Sequence, residues 1–438
     1  MKYSRYNFFM KATDGKVLAF NALTGAFVRM NKREHGILAG FQTAAHGVSG
    51  KLLRELTASG LVVDDNVDEV RYLRVRNRIA RYQSNVAGLT IAPTLDCNFQ
   101  CTYCFQDRKT TYMSEVVAEA VIRYLESKLK GGVRTVNVTW YGGEPFLPKA
   151  FKTVTLLSAA FRKLCRKFDA RYSFALVSNG SLLNQEMARE LRRDRCTSVQ
   201  ITIDGPPEVH DKRRPFRSGR GSFAQVIENI QGVKKILPVR IRVNVDRQNQ
   251  ESCLLLLDHL RDLDLKKYVS LYYAPVEVYS PVCKSIRHQC LVRKEFSNVQ
   301  IRLYQETLSA GFNIVPFPHT TAAACGAECV SSILIEPSGL LQKCWNAIGV
   351  DSEAVGHLLD KDINRELLSN YLMWLDWDIF KEKKCVRCKI LPVCMGSCLY
   401  KKLSAAGKAL ECPPWRHNLK SMLSLYYSAW KAERGPRA

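Results

Sequence analysis

The sequence lacks two features of exported or membrane proteins. It contains no run of about 18 or more apolar residues, and its N-terminus does not combine a basic start, an apolar stretch and a small-residue cleavage site. We therefore expect a cytoplasmic protein without membrane contact. Internal repeats and low-complexity linkers are also missing. The 438 residues, 46% hydrophobic and 24% charged, predict a folded protein of two or three domains.

Acidic residues are scarce relative to basic ones. Lys and Arg total 65 against 41 Asp and Glu, which gives a net charge of +24. Such a charge attracts nucleic acid, an anionic membrane surface or an acidic peptide, and charge alone does not choose among them. The basic residues are scattered and no RNA-binding motif is present, so we expect no nucleic-acid partner beyond nonspecific, salt-sensitive contact.

Cysteine, by contrast, is abundant. Most of the 16 cysteines fall in tight clusters. In a reducing compartment clustered thiols more often bind metal than form disulfides. Metal binding is the favoured interpretation, and a disulfide framework is the alternative.

Residues 1–82 have the pattern of a small mixed module. "YNFFMKA" and "KVLAFNALTGAFVRM" are rich in aromatic and apolar residues and are interrupted by the turn pairs Asp14-Gly15 and Thr24-Gly25. Two amphipathic helices are predicted next, at Lys32–Phe41 and Gly50–Ser59. A small sheet with helices favours a winged-helix-like module; the alternative is a simple N-terminal extension.

Residues 83–315 alternate between strand and helix patterns, which indicates an α/β fold. Six strands in a row, each followed by a helical segment, predict a parallel sheet curled into a partial (β/α)6 barrel. Catalytic groups of such barrels gather at the C-terminal ends of the strands. The predicted strands are Ala87–Pro93, Thr135–Tyr141, Tyr172–Ser178, Ser198–Asp204, Val239–Val245 and Val269–Pro275.

The loop after the first barrel strand, "LDCNFQCTYCFQ", holds Cys97, Cys101 and Cys104. A cubane iron–sulfur cluster normally takes four cysteine thiolates, so three thiolates leave one iron without a protein ligand. An open coordination position marks a metal that works on a substrate, as in catalytic zinc sites. The missing fourth cysteine therefore predicts a cluster that binds a small molecule.

With Tyr103 directly before the third cysteine, this loop resembles that of the radical S-adenosylmethionine (SAM) enzymes. The resemblance implies that SAM chelates the open iron of a [4Fe–4S] cluster and is cleaved to a 5'-deoxyadenosyl radical. The chemistry belongs to the cofactor, while the protein orients and shields it.

The second strand ends in "WYGGEP", which resembles the GGEP motif of the same family. Two glycines let the backbone approach a ligand closely, and a carboxylate accepts hydrogen bonds from an ammonium group. The resemblance implies that Gly142, Gly143 and Glu144 contact the methionine amine of SAM. The alternative is a purely structural turn.

Two later segments resemble further parts of the SAM pocket. "VSNGSLL" is similar to the third-strand Thr-Asn-Gly segment, with Ser178 in place of threonine, and "ITIDGPPEVHDKRRPF" is similar to the Ser-x-Asp-Gly-Pro stretch and its sequel. Thr202 and Arg214 would then meet the SAM carboxylate, with the adjacent Arg213 as the alternative arginine. The implied SAM-pocket residues are Tyr103, Ser178, Thr202, Asp204 and Arg214, with Asn244 in "RVNVD" as a further candidate.

Residues 316–438 contain a second cysteine-rich region that resembles the SPASM extension of radical SAM enzymes, including Gly339 between its first cysteines. Two cubanes need eight thiolates; the family pattern supplies seven and Cys329 is an eighth. The resemblance implies two auxiliary iron–sulfur clusters, expected to be [4Fe–4S]. The first would be held by Cys325, Cys329, Cys344 and Cys398, and the second by Cys385, Cys388, Cys394 and Cys412.

Other interpretations of the cysteines stay open. Four cysteines of "CVRC" and "CMGSC" also suit tetrahedral zinc. The remaining thiols have no cluster-like spacing and are interpreted as ordinary ones: Cys165, Cys196, Cys253, Cys283 and Cys290. Three polar residues near strand ends, Asp246, Tyr273 and Glu277, have no assigned role.

Enzymes similar to this one modify peptides or proteins. Residues 1–82 look like the recognition element with which peptide maturases bind a leader peptide, often by strand addition. A +24 protein would capture an acidic leader quickly. We therefore expect a maturase that closes a thioether or carbon–carbon cross-link in a ribosomally made precursor, fed by an external low-potential donor such as flavodoxin or ferredoxin. The alternative is a formylglycine-generating sulfatase maturase, which begins close to its cysteine loop.

Overall fold

The computed structural model describes the whole chain except residues 13, 41–49, 108, 313–314, 361, 363, 404–409 and 435–438. Phe41, the predicted end of the first helix, therefore lies outside the described residues. The described part contains the strands β1 Lys2–Tyr3, β2 Asn7–Lys11, β3 Val17–Asn21, β4 Phe27–Met30, β5 Val62–Val63, β6 Val86–Ile91, β7 Thr135–Trp140, β8 Arg171–Ser178, β9 Cys196–Thr202, β10 Val239–Val245, β11 Val269–Pro275, β12 Ser332–Ile335, β13 Leu340–Gln342 and β14 Gly356–His357. Its α-helices are α1 Lys32–Gly40, α2 Gly50–Ala58, α3 Glu69–Tyr82, α4 Glu115–Lys130, α5 Pro148–Lys167, α6 Gln185–Arg193, α7 Pro207–Arg213, α8 Phe223–Val233, α9 Leu255–Asp262, α10 Arg293–Ser309, α11 Arg365–Asp376, α12 Lys383–Val386, α13 Leu391–Cys394, α14 Tyr400–Leu403 and α15 Trp415–Arg434.

The centre of the protein is a parallel sheet of β6 to β11, each strand beside its neighbour in the chain. All six predicted strands are present, so the α/β class and the six strand–helix units are confirmed. Alternate residues of each strand, such as Leu89 and Ile91, are buried against the helical layer. The other faces of the strands line the inside of the curved sheet.

The C-terminal region extends this sheet, which the sequence did not predict. β12 pairs in parallel with β6, and β13 and β14 follow in antiparallel order, giving nine strands. Gly88 permits the close pairing because a Cβ at this position would lie 2.8 Å from Ser332 Oγ. The cysteine-rich region is therefore joined to the barrel edge through a continuous hydrogen-bonded sheet.

The N-terminal module contains the antiparallel sheet β2-β3-β4, a short β1–β5 pair and helices α1 to α3. Asn21 ties these parts together, since its buried amide donates to Ser4 Oγ, Asn7 Oδ1 and Gly60 O at 2.8 to 3.0 Å. The predicted small sheet and helices are present, and the winged-helix-like character of the module stays a prediction. α3, capped by Asp68, was not predicted.

α3 fastens the N-terminal module to the C-terminal region. Leu73 is buried in a core cluster with Ile379 and Leu391. The buried Arg81 guanidinium donates to Trp377 O at 2.5 Å and to Leu375 O at 2.9 Å. The two ends of the sequence thus share a core, which a deletion of residues 1–82 would expose.

The last helix, α15, begins shortly after Cys412. It packs against α10 and against β2 of the N-terminal module. Within the described residues, no helix combines the length and apolar character needed to cross a bilayer.

Candidate functional site

A cavity of about 890 Å³ opens at the C-terminal ends of the barrel strands. One wall carries the loop after β6 and the end of β7, and the opposite wall belongs to the C-terminal region. Seven cysteines line it: Cys97, Cys101, Cys104, Cys325, Cys344, Cys394 and Cys398. The fold therefore brings both cysteine groups, far apart in sequence, to one space.

The first cysteine loop is held by backbone hydrogen bonds to the segment after α7. Gln100 N donates to Pro215 O at 2.8 Å, and Arg217 N donates to Asn98 O at 2.9 Å. The rings of Phe99 and Phe216 meet edge to face, with centroids 4.9 Å apart. The "RPF" part of the sequence motif therefore braces the loop, a role that the sequence did not reveal.

The two glycines after β7 are required by the same loop. A Cβ on Gly143 would lie 1.9 Å from Asp96 O, and Gly142 has a φ of +112° with its Cβ direction blocked by Thr94 O. Gly143 N donates to Thr94 O at 3.0 Å. Both glycines line the cavity. Because they lack a Cβ, the cysteine loop can pack closely against them and a ligand can approach their backbone.

Glu144 lies behind the cavity wall rather than on it. Its fully buried carboxylate accepts hydrogen bonds from Ser178 Oγ at 2.8 Å, Asn179 N at 2.7 Å and Phe146 N at 2.9 Å. Burial raises the pKa of Glu144, while these hydrogen bonds act in the opposite direction. Glu144 joins the ends of β7 and β8, and its contact with a SAM amine stays a prediction.

Asn179 is a site residue that the sequence interpretation missed. Its Nδ2 lies 3.7 Å from Cys97 Sγ and donates to Asn98 Oδ1 at 2.7 Å. Burial raises the pKa of Cys97 to about 12 in the metal-free chain, and the neighbouring Glu144 adds to the rise. The "SNG" segment already contained the signal, since an amide beside a thiolate can donate to it.

Tyr103 is the centre of a polar network. Its hydroxyl donates to Asp204 Oδ2 at 2.5 Å and accepts from Arg214 Nη1 at 2.7 Å and Asn244 Nδ2 at 3.1 Å. Thr202, Arg214 and Asn244 line the cavity. Asp204 is fully buried behind it, where its N–H donates to His210 Nδ1 at 3.3 Å.

The structure separates the two candidate arginines. Arg213 Nη1 donates to Asp246 Oδ2 at 2.7 Å, and Arg213 Nε lies 3.6 Å from Asp204 Oδ2. Both carboxylates are buried, so the Arg213 guanidinium is already paired inside the protein and is not available to a ligand. Arg214 is the arginine on the cavity wall, which favours it for an anionic ligand.

Of the three polar residues without an assigned role, Glu277 lies on the cavity wall. It is paired with Arg293 Nη2 at 2.5 Å and Lys401 Nζ at 2.7 Å, and it accepts a hydrogen bond from Tyr279. Tyr273 is buried against Thr307, and Asp246 holds Arg213. Glu277 is thus neutralised by two cations.

The C-terminal thiols form two interleaved groups, because the thiols that act on the pKa of Cys344 differ from those that act on the pKa of Cys394. Burial raises the pKa of Cys344, and Cys325 and Cys398 add to the rise. Burial raises the pKa of Cys394 to about 12, with further contributions from Cys388, Cys385 and Cys412. Cys329 is buried, and its thiol contacts Cys325 O at 3.7 Å.

The donor set fits iron–sulfur clusters better than the alternatives. None of the sixteen cysteines, all of which are described, forms a disulfide. The clustered donors are all cysteine thiols, the ligand type that holds iron–sulfur clusters. A cluster of several irons spreads its thiolates farther apart than one ion does, and its ligands are thiols alone.

A comparison with protein families now identifies the barrel. The family described as "Radical SAM superfamily" matches residues 91–260. This chain contains a radical SAM domain. The protein is an enzyme, and its cofactors are SAM and iron–sulfur clusters.

Relatives with assigned names include peptide- and protein-modifying enzymes. A serine-type anaerobic sulfatase-maturating enzyme of Klebsiella aerogenes is 23% identical over 72% of this chain and 80% of its own length. The sporulation killing factor maturation protein SkfB of Bacillus subtilis is 26% identical over 37% of this chain and 36% of its own.

Two solved structures share the fold. The enzyme anSMEcpe, with AdoMet and the Cp18Cys peptide bound, has a TM-score of 0.61 at 20% identity and covers 78% of this chain and 97% of its own. SuiB of Streptococcus suis, bound to S-adenosylmethionine, has a TM-score of 0.52 at 15% identity and covers 94% and 98%. The SuiB match leaves less of this chain uncovered than residues 1–82 occupy, so the shared fold extends into the N-terminal module.

Proposed function

We propose that this radical SAM enzyme is a peptide maturase that abstracts hydrogen from a ribosomally made precursor and closes a thioether or carbon–carbon cross-link within it. The observation that carries the proposal is the cavity shared by the barrel loop and the C-terminal cysteines, in a protein that also has an N-terminal module. Bound to the cluster of the first loop, SAM supplies a 5'-deoxyadenosyl radical.

The residues of this chain hold and orient the cofactor. Cys97, Cys101 and Cys104 hold the cluster, and Asn179 donates toward the Cys97 sulfur. Thr202 and Arg214 bind the carboxylate of SAM, since both lie on the wall and Tyr103 positions the Arg214 guanidinium. Gly142 and Gly143 bring the backbone close to its amine, and Glu144 fixes that segment.

The C-terminal cysteines hold two auxiliary clusters. The first takes Cys325, Cys329, Cys344 and Cys398, and the second takes Cys385, Cys388, Cys394 and Cys412, a division supported by the two interleaved thiol groups. Clusters held by these cysteines would supply an acceptor for the electron that cross-link formation releases. An external donor such as flavodoxin or ferredoxin would reduce the SAM-binding cluster held by Cys97, Cys101 and Cys104.

The N-terminal module binds an acidic leader peptide. α3 exposes four apolar side chains on one face, Tyr72, Val75, Ile79 and Tyr82, which are 51%, 49%, 63% and 51% exposed. Their spacing of three and four residues makes a continuous stripe. An exposed apolar stripe flanked by arginines of the same helix suits a partner with apolar and acidic residues.

The test is anaerobic co-expression with a short, acidic reading frame encoded beside the gene, followed by mass spectrometry of the peptide. We expect the loss of two hydrogens per cross-link, no such change with Cys97→Ala, Cys101→Ala, Cys104→Ala enzyme, and no hydrazide-reactive aldehyde. An unmodified peptide, from an enzyme that still makes 5'-deoxyadenosine, would contradict the proposal for that peptide.

A second candidate function is formylglycine formation on a sulfatase. The sulfatase-maturating relative of Klebsiella aerogenes matches 72% of this chain, which favours it. It predicts an aldehyde in a sulfatase-derived Cys or Ser peptide and no need for a leader. The same hydrazide reagent therefore separates the two functions.

A further inference from the structure

Arg242 lies inside the barrel and faces the cavity. Val239, Ile241, Val243 and Val245 of β10 are buried in the core, so the alternating side chains between them point to the inner face of the sheet. Arg242 and Asn244 line the cavity. Arg240, two residues earlier on the same face, is exposed at the far end of the strand.

The guanidinium of Arg242 has polar neighbours but no counter-ion. Its Nε donates to Asn244 Oδ1 at 2.7 Å, and its Nη1 donates to Tyr272 OH at 3.3 Å. No carboxylate of the described residues forms an ion pair with it. Among the other enclosed arginines, Arg213 and Arg293 pair with carboxylates, whereas Arg214 forms no ion pair within the described residues and is the arginine assigned to the SAM carboxylate.

Among the described residues of the cavity wall, no acid is available to neutralise this charge. Glu277 is already bound by Arg293 and Lys401, and Asp107 is exposed on the cysteine loop. A guanidinium stays protonated in proteins. An enclosed charge without an opposite charge is costly, and a ligand carboxylate that binds there recovers that cost.

We propose that Arg242 binds a carboxylate of the peptide substrate, either an Asp or Glu side chain or a chain-terminal carboxylate. The inference rests on the proposed function, which it extends to the chemistry of the peptide segment in the cavity. Arginine is suited to this role because its planar fork binds a carboxylate through two parallel hydrogen bonds. The acidic group would fix the peptide between the first cysteine loop and the C-terminal thiols.

The test uses the SAM-loaded, anaerobic holoenzyme and three small probes. N-acetylglutamate N-methylamide presents a side-chain carboxylate, N-acetylalanine presents a terminal one, and N-acetylglutamine N-methylamide presents none. Binding is measured by ligand-detected NMR titration. We expect at least one carboxylate probe to bind about tenfold more tightly than the neutral probe, and the stronger one identifies the source of the carboxylate. Equal affinities for all three would overturn the proposal.

The enzyme variants are Arg242→Gln and Arg242→Lys, with Arg240→Gln as the matched control on the same strand. Arg242→Gln should lose the preference for carboxylate probes, Arg242→Lys should keep a smaller preference, and Arg240→Gln should bind as wild type. Retained preference in Arg242→Gln would overturn the proposal. So would a tenfold loss of SAM affinity in both Arg242 variants, because Arg242 would then serve the cofactor.

These probes do not require the precursor, so the two proposals can fail separately. Carboxylate binding through Arg242 together with an unmodified co-expressed peptide would count against the maturase alone. A modified peptide whose processing is unaffected when each of its acidic groups is replaced by the amide would count against Arg242 alone.

Discussion

The Tyr103 hydroxyl stands between Asp204 and Arg214, donating to the carboxylate at 2.5 Å and accepting from the guanidinium at 2.7 Å. The aromatic residue before the third cysteine is therefore a polar link between the cluster loop and the ends of the fourth and fifth barrel strands. Burial raises the pKa of Tyr103, and the neighbouring Arg214 acts against that rise. The phenol stays protonated and keeps donating to Asp204.

Tyr103→Phe should weaken SAM binding about tenfold, because a hydrogen bond to a charged group contributes about 1.5 kcal/mol or more. Arg214 would lose the contact that orients it. The measurement is equilibrium SAM binding to the anaerobically reconstituted protein. Tyr124→Phe on α4 is the control, and equal SAM affinity in the two variants would refute the positioning role.

Gly143→Ala should prevent normal assembly of the first cysteine loop. Its Cβ would lie 1.9 Å from Asp96 O, which is backbone and has little room to move. We expect loss of about four irons per chain, one cubane, and a lower unfolding temperature. Gly36→Ala, where a Cβ meets nothing within 4 Å, should keep full iron content; a fully loaded Gly143→Ala protein would contradict the geometry.

Single serine substitutions should remove the two auxiliary clusters one at a time, which the iron content of each variant would show. Cys394→Ser and Cys344→Ser are each expected to lower the iron content by about one cluster, while the double variant loses about two. Cys165→Ser, a buried thiol outside both groups, is the control. Iron analysis with electron paramagnetic resonance provides the measurement, and a double variant that loses no more iron than either single one would reject the two-group division.

His210 should make the protein less stable in acid. Burial lowers its pKa from 6.5 to about 3, with Arg214 adding to the effect. Below pH 6.5 the unfolded chain binds a proton that the folded chain excludes, so the free energy of unfolding falls by about 1.4 kcal/mol per pH unit.

Between pH 7.5 and 5.5 this contribution costs wild type about 1.4 kcal/mol. Urea unfolding should show that His210→Gln loses less stability over this interval by that amount, whereas the exposed His288→Gln behaves as wild type. An identical pH dependence in His210→Gln would show that His210 is not the acid-sensitive group.

The stripe on α3 should bind the leader without supporting the fold. Val75→Glu with Ile79→Glu is expected to weaken precursor binding by at least tenfold, because two acidic side chains replace exposed apolar contacts and repel an acidic peptide. Uncoupled SAM cleavage should persist. Leu156→Glu, at an equally exposed apolar position of α5, is the control. Unchanged precursor affinity in the α3 double variant would show that the leader binds elsewhere.

The double substitution in α3 tests leader binding better than deletion of residues 1–82 would. Deletion would remove Leu73 and Arg81 from the core shared with the C-terminal region. A loss of binding would then not separate recognition from folding.

Local patterns determined much of this protein. The six barrel strands follow from alternating apolar residues, and the spacing of Cys97, Cys101 and Cys104 carries the cofactor chemistry, because both depend on residues close in sequence. Contacts between distant residues were decided only by the tertiary structure. β12 joins β6, Arg81 reaches Trp377, and Arg242 faces a space without a counter-ion. Chain packing creates these relationships, and the sequence around any one residue does not contain them.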